Sequence, residues 1–261
     1  MLKLDNLYAI LDGYAPFEIS KKIIENGGYD NSGILISDHE NVSKILFSLD
    51  LSIDCVKRAK RLGVDTIITH HPAIYNPPKT LDIESVDTAP IMLAIKSNMN
   101  VISMHLNLDM ALNGIDYHLA KALGASEQKI LDVMGENVGY GRQFCISKTS
   151  FAGFVKTVKN TFGSSKVITY GGKNDVINNV ASFCGAGGSH VEQAIKNGGV
   201  DVVVTSDLAH HQIKTLVESG VAVILLTHYS AENYGFKKFY SSIQKELEGV
   251  DAYYFEDKRF I

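Results

Sequence analysis

At 261 residues with 45% hydrophobic content, the chain can bury a sizeable core and fits one large or two small domains. A formal charge of -4 leaves no basic footprint for nucleic acid and no polybasic membrane patch. No apolar stretch approaches the ~20 residues that span a bilayer, and Met1-Leu2-Lys3-Leu4-Asp5 lacks a signal-peptide core, so the sequence reads as cytoplasmic.

Short apolar runs alternate with amphipathic stretches, the pattern of a largely parallel sheet flanked by helices. In chain order the pattern predicts a helix over Pro16 to Asn26, strands over Ile34 to Ser37 and Ser43 to Asp50, and a helix over Ile53 to Leu62. A strand over Thr66 to Thr69, a helix over Thr88 to Met99, a strand over Val101 to Met104 and a helix over Gly114 to Leu123 follow. The segment Ser126 to Lys173 reads as a strand-helix-strand excursion, with strands over Gln143 to Ser147 and Val167 to Tyr170 around a helix over Ser150 to Thr161. The remainder predicts strands over Asn179 to Cys184, Asp201 to Thr205, Ala222 to Thr227 and Ala252 to Phe255, with helices over Ser189 to Asn197, Ala209 to Ser219 and Ala231 to Leu247. Gly63, Gly124, Gly198 and Gly220 stand where helices end.

One strand pattern occurs twice. Gly63-Val64-Asp65-Thr66-Ile67-Ile68-Thr69 is matched by Gly199-Val200-Asp201-Val202-Val203-Val204-Thr205, and residues 42 to 71 align with 177 to 207 as strand, loop, helix, glycine and strand. Each copy is followed, one helix and one strand later, by a histidine with a carboxylate four residues beyond: His105 with Asp109, and His228 with Glu232. With no long linker between them, the halves read as interlocked repeats, about 1 to 124 and about 125 to 261.

Three scattered cysteines, Cys55, Cys145 and Cys184, form no CxxC pair, so a metal here would use nitrogen and oxygen donors. His70-His71-Pro72 sits where a buried strand runs out, the usual place for a site in an open α/β sheet. In an extended segment the two imidazoles would point to opposite sides and could serve two ions; the alternative is an incidental polar pair in a loop. His105 and Asp109 can reach one side of a loop or first helical turn, and the alternatives are a satisfied core histidine and a helix cap. In His228-Tyr229-Ser230-Ala231-Glu232, Ser230 could cap the next helix and place Glu232 in its first turn; the alternative is that Glu232 only complements the helix dipole. Four imidazoles and two carboxylates exceed one tetrahedral ion and suit two divalent ions bridged by a carboxylate, drawn from zinc, iron, manganese or cobalt.

Cys184-Gly185-Ala186-Gly187-Gly188-Ser189 joins a strand to a helix. Its Gly187, Gly188 and Ser189 could offer N–H groups to a phosphate or carboxylate, or the glycines could serve close packing alone. Ser206-Asp207-Leu208-Ala209-His210-His211 stands in the second repeat where His70-His71 stands in the first, with Asp207 and His211 as proton-transfer candidates.

These motifs, from Tyr29-Asp30-Asn31-Ser32-Gly33 through Thr69-His70-His71-Pro72, His105-Leu106-Asn107-Leu108-Asp109, the Cys184 to Ser189 run and Ser206-Asp207 to His228-Tyr229-Ser230-Ala231-Glu232, cover nearly the whole chain. In that order they resemble the YbgI-like dinuclear metal-centre family, the GTP cyclohydrolase 1 type 2 homologues. The resemblance implies two interlinked α/β repeats with mixed, largely parallel sheets, helices on their faces, and no inserted third domain. It also implies the metal ligands His70, His71, Asp109, His228 and Glu232, with Glu232 bridging, His105 beside them, and a toroidal homohexamer. Ala209 and Gln212 depart from the family pattern after Asp207.

Two functions follow. One is a metal-dependent hydrolase of a nucleotide-like or phosphorylated small molecule, with Asp207, His105 and His211 moving protons. The other is a non-catalytic metal-binding, metal-delivery or regulatory scaffold protein. Neither needs a nucleic acid or a membrane.

Overall fold

The computed structural model of the protein describes residues 2–163, 166–172 and 176–261. Met1 and Lys173, which enter the sequence expectations, lie outside the described residues. The chain forms two compact units, Met1–Leu108 with Phe236–Asp257, and Asp109–Gly235 with Lys258–Ile261. The architecture is mixed α/β, with helices on the faces of each unit's sheet.

The first unit is built on a five-stranded sheet. Across the sheet its strands run in the order Asp251–Phe255, Lys44–Ser48, Thr66–Thr69, Asn100–Ser103 and Gly33–Ile36. All neighbours are parallel except the last pair. The strands Thr66–Thr69 and Asn100–Ser103 are buried at every position, which is why they read as continuous runs of apolar and small polar residues rather than as an alternation. On one face, Cys55, Val56 and Ala59 of the helix Ile53–Leu62 pack with Leu46, Ile67 and Val101 and with Ile91 and Ala94 of the helix Ala89–Lys96. Elsewhere Phe47 meets the rings of Phe236, Phe239 and Tyr240 at 6.2, 6.1 and 5.2 Å.

Ser52 caps the helix Ile53–Leu62 by accepting from the Cys55 N–H, and Gly63 ends it at φ 66°, a conformation a side chain would strain. A helix absent from the sequence expectations, Leu4–Tyr14, buries Leu4, Leu7 and Leu11 on one stripe.

The second unit holds a six-stranded sheet, in the order Lys129–Gly135, Val138–Ser150, Val176–Ser182, Val202–Thr205, Ala222–Leu225 and Ile168–Tyr170. Only its centre is parallel, from Val176–Ser182 through Val202–Thr205 to Ala222–Leu225. The excursion holds the predicted strand, helix and strand, and adds a further strand before them. It is a hairpin of Lys129–Gly135 and Val138–Ser150, then the helix Phe151–Phe162 and an antiparallel edge strand. Its two-residue turn, Glu136-Asn137, carries no Asn-Gly or Asp-Gly signal; Asn137 takes the positive φ of 59° in glycine's place.

The repeated Gly-Val-Asp has one structural meaning in both units. Asp65 Oδ2 accepts from the backbone N–H groups of Ser43 and Lys44 at 2.8 and 3.0 Å. Asp201 Oδ2 accepts from those of Asn178 and Asn179 at 2.8 and 2.7 Å. In each case a carboxylate just before one strand staples its parallel neighbour where the pairing between them begins. Such charge-assisted bonds contribute about 1.5–3 kcal/mol when buried, and less at these half-exposed positions. Asp65→Ala and Asp201→Ala should each lower the unfolding free energy by about 1–2 kcal/mol in urea denaturation, with a smaller loss for the Asn variants. An unshifted midpoint in both alanine variants would refute the staple.

Candidate metal centre

The functional side chains fall into two groups, one in each unit, and both stand at the C-terminal edge of three adjacent parallel strands. In the first unit the strands ending at Ser48, Thr69 and Ser103 lead directly to Asp50, His70-His71 and His105. Strand ends in an open α/β sheet leave side chains convergent and backbone groups unpaired, which favours a site there.

His70 and His71 are not the alternating residues of an extended segment. The strand stops at Thr69, the chain bends, and both N–H groups converge on the Leu49 carbonyl at 3.1 and 2.9 Å. The bend brings the imidazoles to the same side, with ring centres 4.9 Å apart. His105 joins them at 5.4 Å from His70 and 6.0 Å from His71. Donor atoms of His70 and His71, and of His70 and His105, come within 4.8 Å of one another.

Each of these rings is held through Nδ1. His70 Nδ1 meets the Met104 carbonyl at 2.7 Å, His71 Nδ1 meets Asp50 Oδ1 at 2.7 Å, and His105 Nδ1 meets Asp30 Oδ1 at 2.7 Å. A carbonyl or carboxylate oxygen only accepts, so Nδ1 carries a proton, and in the neutral ring Nε2 is the lone-pair nitrogen. That is the tautomer and the outer support a metal-ligating histidine needs. Asp30 is buried and also accepts from the Ser32 hydroxyl at 2.8 Å. Burial pushes its carboxyl up, but hydrogen bonds from His105, Ser20 and Ser32 together with the His105 charge outweigh it and leave the pKa below the usual range.

In the second unit the strands ending at Ser182, Thr205 and Leu225 lead to Cys184-Gly185, Ser206-Asp207 and His228. His228 Nδ1 meets Asp207 Oδ2 at 2.6 Å and its Nε2 lies 2.9 Å from Glu232 Oε1. A neutral imidazole donates one hydrogen, so two facing carboxylates call for positive charge on or beside the ring. Two donors bound to one ion at about 2.0–2.2 Å and near a right angle stand roughly 3 Å apart. The His228 and Glu232 donors therefore fit a shared cation.

Asp109, in the short helix Leu106–Met110, and Glu232 are buried at 3% and 2% exposure, where carboxylates need a compensating cation or hydrogen bonds. Asp109 Oδ1 accepts from Cys184 Sγ at 3.2 Å. Burial raises the Cys184 thiol pKa well above its ordinary value, with Asp109, Asp116 and Glu232 adding to the rise.

Several sequence expectations need correction here. Ser230 does not cap the helix bearing Glu232; the helix is His228–Ile243, and Thr227 Oγ1 accepts from the Ser230 N–H at 3.1 Å. Glu232 thus lies one turn beyond His228, not in a new first turn. His105 and His228 are also not equivalent in register. Ser103 pairs with Thr69 and Leu225 with Thr205, so His105 lies two residues past the pairing and His228 three.

Around the glycines, the Gly187 N–H donates to Thr205 Oγ1 at 3.0 Å, and a 3-10 turn over Gly188–Val191 precedes the short helix Glu192–Lys196. His211 is exposed on the helix His210–Glu218, whose first turn is closed by Gln212 Oε1 accepting from the Ala209 N–H at 2.8 Å. Sequence reasoning passed over Asp30, Asp50, Asp116 and Cys184 as supports. Asp30 and Cys184 lie inside motifs already singled out, while nothing local marks Asp50 or Asp116.

Comparison with known proteins places this edge in context. The family model described as Duf34/NIF3 (NGG1p interacting factor 3) matches residues 2–258. The chain belongs to this family. A GTP cyclohydrolase 1 type 2 homolog of Clostridium perfringens is 28% identical over 235 residues, 88% of this chain and 87% of that protein. The protein NIF3 homolog of Schizosaccharomyces pombe is 28% identical over 260 residues, 89% of this chain and 91% of its own. Among solved structures, reduced HcgD from Methanocaldococcus jannaschii has a TM-score of 0.81 at 27% identity and 98% coverage of both chains. Protein ybgI, at 21% identity, has a TM-score of 0.78 over 95% of this chain and 100% of its own, and a Staphylococcus aureus hypothetical protein reaches 0.87 at 24% identity over 98% and 97%; these two carry the fold. The candidate metal-binding histidines and carboxylates of this Duf34/NIF3 protein lie within the matched residues. Among the described residues no helix is long and apolar enough to cross a membrane.

The Asp30 support has a pH signature. A carboxyl with a depressed folded-state pKa contributes stability that is present above its unfolded value, about pH 4, and is lost as pH falls through the folded value. The stability difference between wild type and Asp30→Asn should therefore be largest near neutrality and shrink in acid, as read by urea denaturation across pH. A difference independent of pH would remove the charged Asp30–His105 contact.

Proposed function

We propose that this Duf34/NIF3 protein would hold two divalent metal ions with His70, His71, Asp109, His228 and Glu232 as the ligands, and hydrolyses a nucleotide-like or phosphorylated small molecule. The observation that carries the reading is the uniform hold on the imidazoles. His70, His71 and His228 each have Nδ1 against an oxygen acceptor, which makes Nε2 the nitrogen that would meet an ion. Nitrogen and oxygen donors without thiolate favour zinc, iron, manganese or cobalt. When bound, such ions supply Lewis-acid chemistry, polarising an ester or phosphoryl oxygen and lowering the pKa of water.

The chain's own residues supply the rest. Asp207, exposed and in contact with His228 Nδ1, would take a proton from an incoming water. His105, backed by Asp30, can pass a proton through its Nε2. His211, exposed on its helix, is a further proton acceptor from the solvent side. The N–H groups of Gly188 and Ser189 are the candidates for an anionic group of the ligand, with Gly187 fixing the turn through Thr205. The hydrolase reading draws its nucleotide from the names of relatives, such as the GTP cyclohydrolase 1 type 2 of Helicobacter pylori, 27% identical over 236 residues. A cytoplasmic homohexamer is part of the same reading.

Metal analysis of the purified protein should give two ions per chain, falling at least tenfold in affinity in Glu232→Ala and Asp109→Ala by calorimetry. Turnover of GTP or a phosphoester by the metal-loaded protein should be lost in Glu232→Ala. Tight, exchangeable metal with no turnover across a nucleotide and phosphoester panel would instead establish metal delivery or a scaffold role.

A further inference from the structure

Two buried groups in the second unit, Asp116 and Arg142, take no part in the chemistry above. Asp116 is fully buried in the helix Ile115–Ala122, and Arg142 is 2% exposed. Their charges lie 3.7 Å apart. Ion pairs this deep are often no more stabilising than apolar residues of the same volume, so their position asks for a reason other than stability.

The reason lies in what Asp116 holds. Its Oδ1 accepts from the Cys184 N–H at 2.7 Å and its Oδ2 from the Gly141 N–H at 2.5 Å. Arg142 balances the charge while donating to the carbonyls of Gly139 and Gly141 at 2.8 and 3.2 Å. The Cys184 carbonyl accepts from the Tyr140 hydroxyl. The next carbonyl, that of Gly185, accepts from the Thr205 hydroxyl at 3.1 Å, the Ser206 N–H at 3.1 Å and the Ser206 hydroxyl. The Cys184–Gly185 turn is therefore pinned on every side.

That turn touches both buried carboxylates. Cys184 Sγ donates to Asp109 Oδ1 at 3.2 Å. A Cβ on Gly185 would stand 2.2 Å from Glu232 Oε1 and 3.2 Å from His228 Cε1, and the residue's φ of 52° adds strain for any side chain. The thiol fixes one carboxylate by contact; the missing side chain leaves room for the other.

The geometry points to the Cys184–Gly185 turn, anchored by Asp116 and Arg142, as the bracket that orients Asp109 and Glu232 toward a shared divalent cation. Cys184 and Asp116 are thus positioning residues, not ligands. The assignment rests on the metal reading proposed above, and extends it from the donors to what aims them.

The test is metal binding, with Co²⁺ as the probe, read by calorimetry and by its visible absorption spectrum. Cys184→Ala, which lowers the melting temperature by removing a buried contact, should weaken Co²⁺ about 10- to 100-fold and alter the spectrum of the folded protein. Cys184→Ser, which restores a donor, should recover most of the affinity, and Cys145→Ser at an exposed cysteine should match wild type. Gly185→Ala should lose at least as much affinity as Cys184→Ala. Asp116→Asn, which places an amide against one of two N–H donors, should weaken Co²⁺ too, and the Cys184 variants keep the test alive if it fails to fold. Wild-type affinity and spectrum in folded Cys184→Ala and Gly185→Ala would overturn the bracket alone. A wild type that binds no Co²⁺ or Zn²⁺ would overturn the metal reading and the bracket with it.

Discussion

A ligating imidazole needs its ring orientation and tautomer fixed by its other nitrogen, and in this protein an oxygen acceptor stands at Nδ1 of each of the four strand-end histidines. A backbone carbonyl does so for His70, and Asp50, Asp30 and Asp207 do so for His71, His105 and His228. Those acceptors sit at strand ends or in the segments packed against them, so sheet geometry becomes ring orientation. A shift of one residue in strand register would move each acceptor away from its ring. The Asp65 and Asp201 staples work against such a shift by tying neighbouring parallel strands together where their pairing begins.

The duplicated strand pattern does not produce duplicated chemistry. Both units place polar side chains at the C-terminal edge of three parallel strands. Where Thr69 leads to two histidines, however, Thr205 leads to Ser206 and Asp207. Ser206 turns its hydroxyl to the Gly185 carbonyl and Asp207 supports His228. The one-residue difference in register between His105 and His228 adds to the asymmetry, and it puts His228 inside a helix with Glu232 one turn ahead. A single helical turn thus supplies both donors of that group.

Buried carboxylates are the costly part of this arrangement. Asp30 is stabilised as a charge by hydrogen bonds and by His105. Burial dominates at Asp116 and raises its pKa despite Arg142 and two backbone N–H groups. Packing around them leaves little slack: a Cβ at Gly141 would stand 2.2 Å from the Phe183 ring, and one at Gly185 would meet Glu232. Glycines in the strand-to-helix connection, which resemble a phosphate loop in sequence, owe at least two of their positions to such close approaches.

Much of the fold was legible because buried parallel strands demand apolar runs, and amphipathic helices between them demand a stripe. Strands such as Thr66–Thr69 and Ala222–Leu225 and the helix Ile53–Leu62 announce themselves in this way. The hairpin Lys129–Ser150 did not, because its turn lacks a glycine signal and its first strand is mostly exposed. The sequence by itself determined the mixed α/β class, the family and the histidine and carboxylate motifs, since these rest on residue type and on contacts close along the chain. Only the tertiary structure decided the bend that sets His70 beside His71, the pairing of each imidazole with its acceptor, and the attachment of Cys184 to Asp109 and Asp116. Those partners lie 21 to 75 residues apart, and no local pattern encodes which strand ends meet.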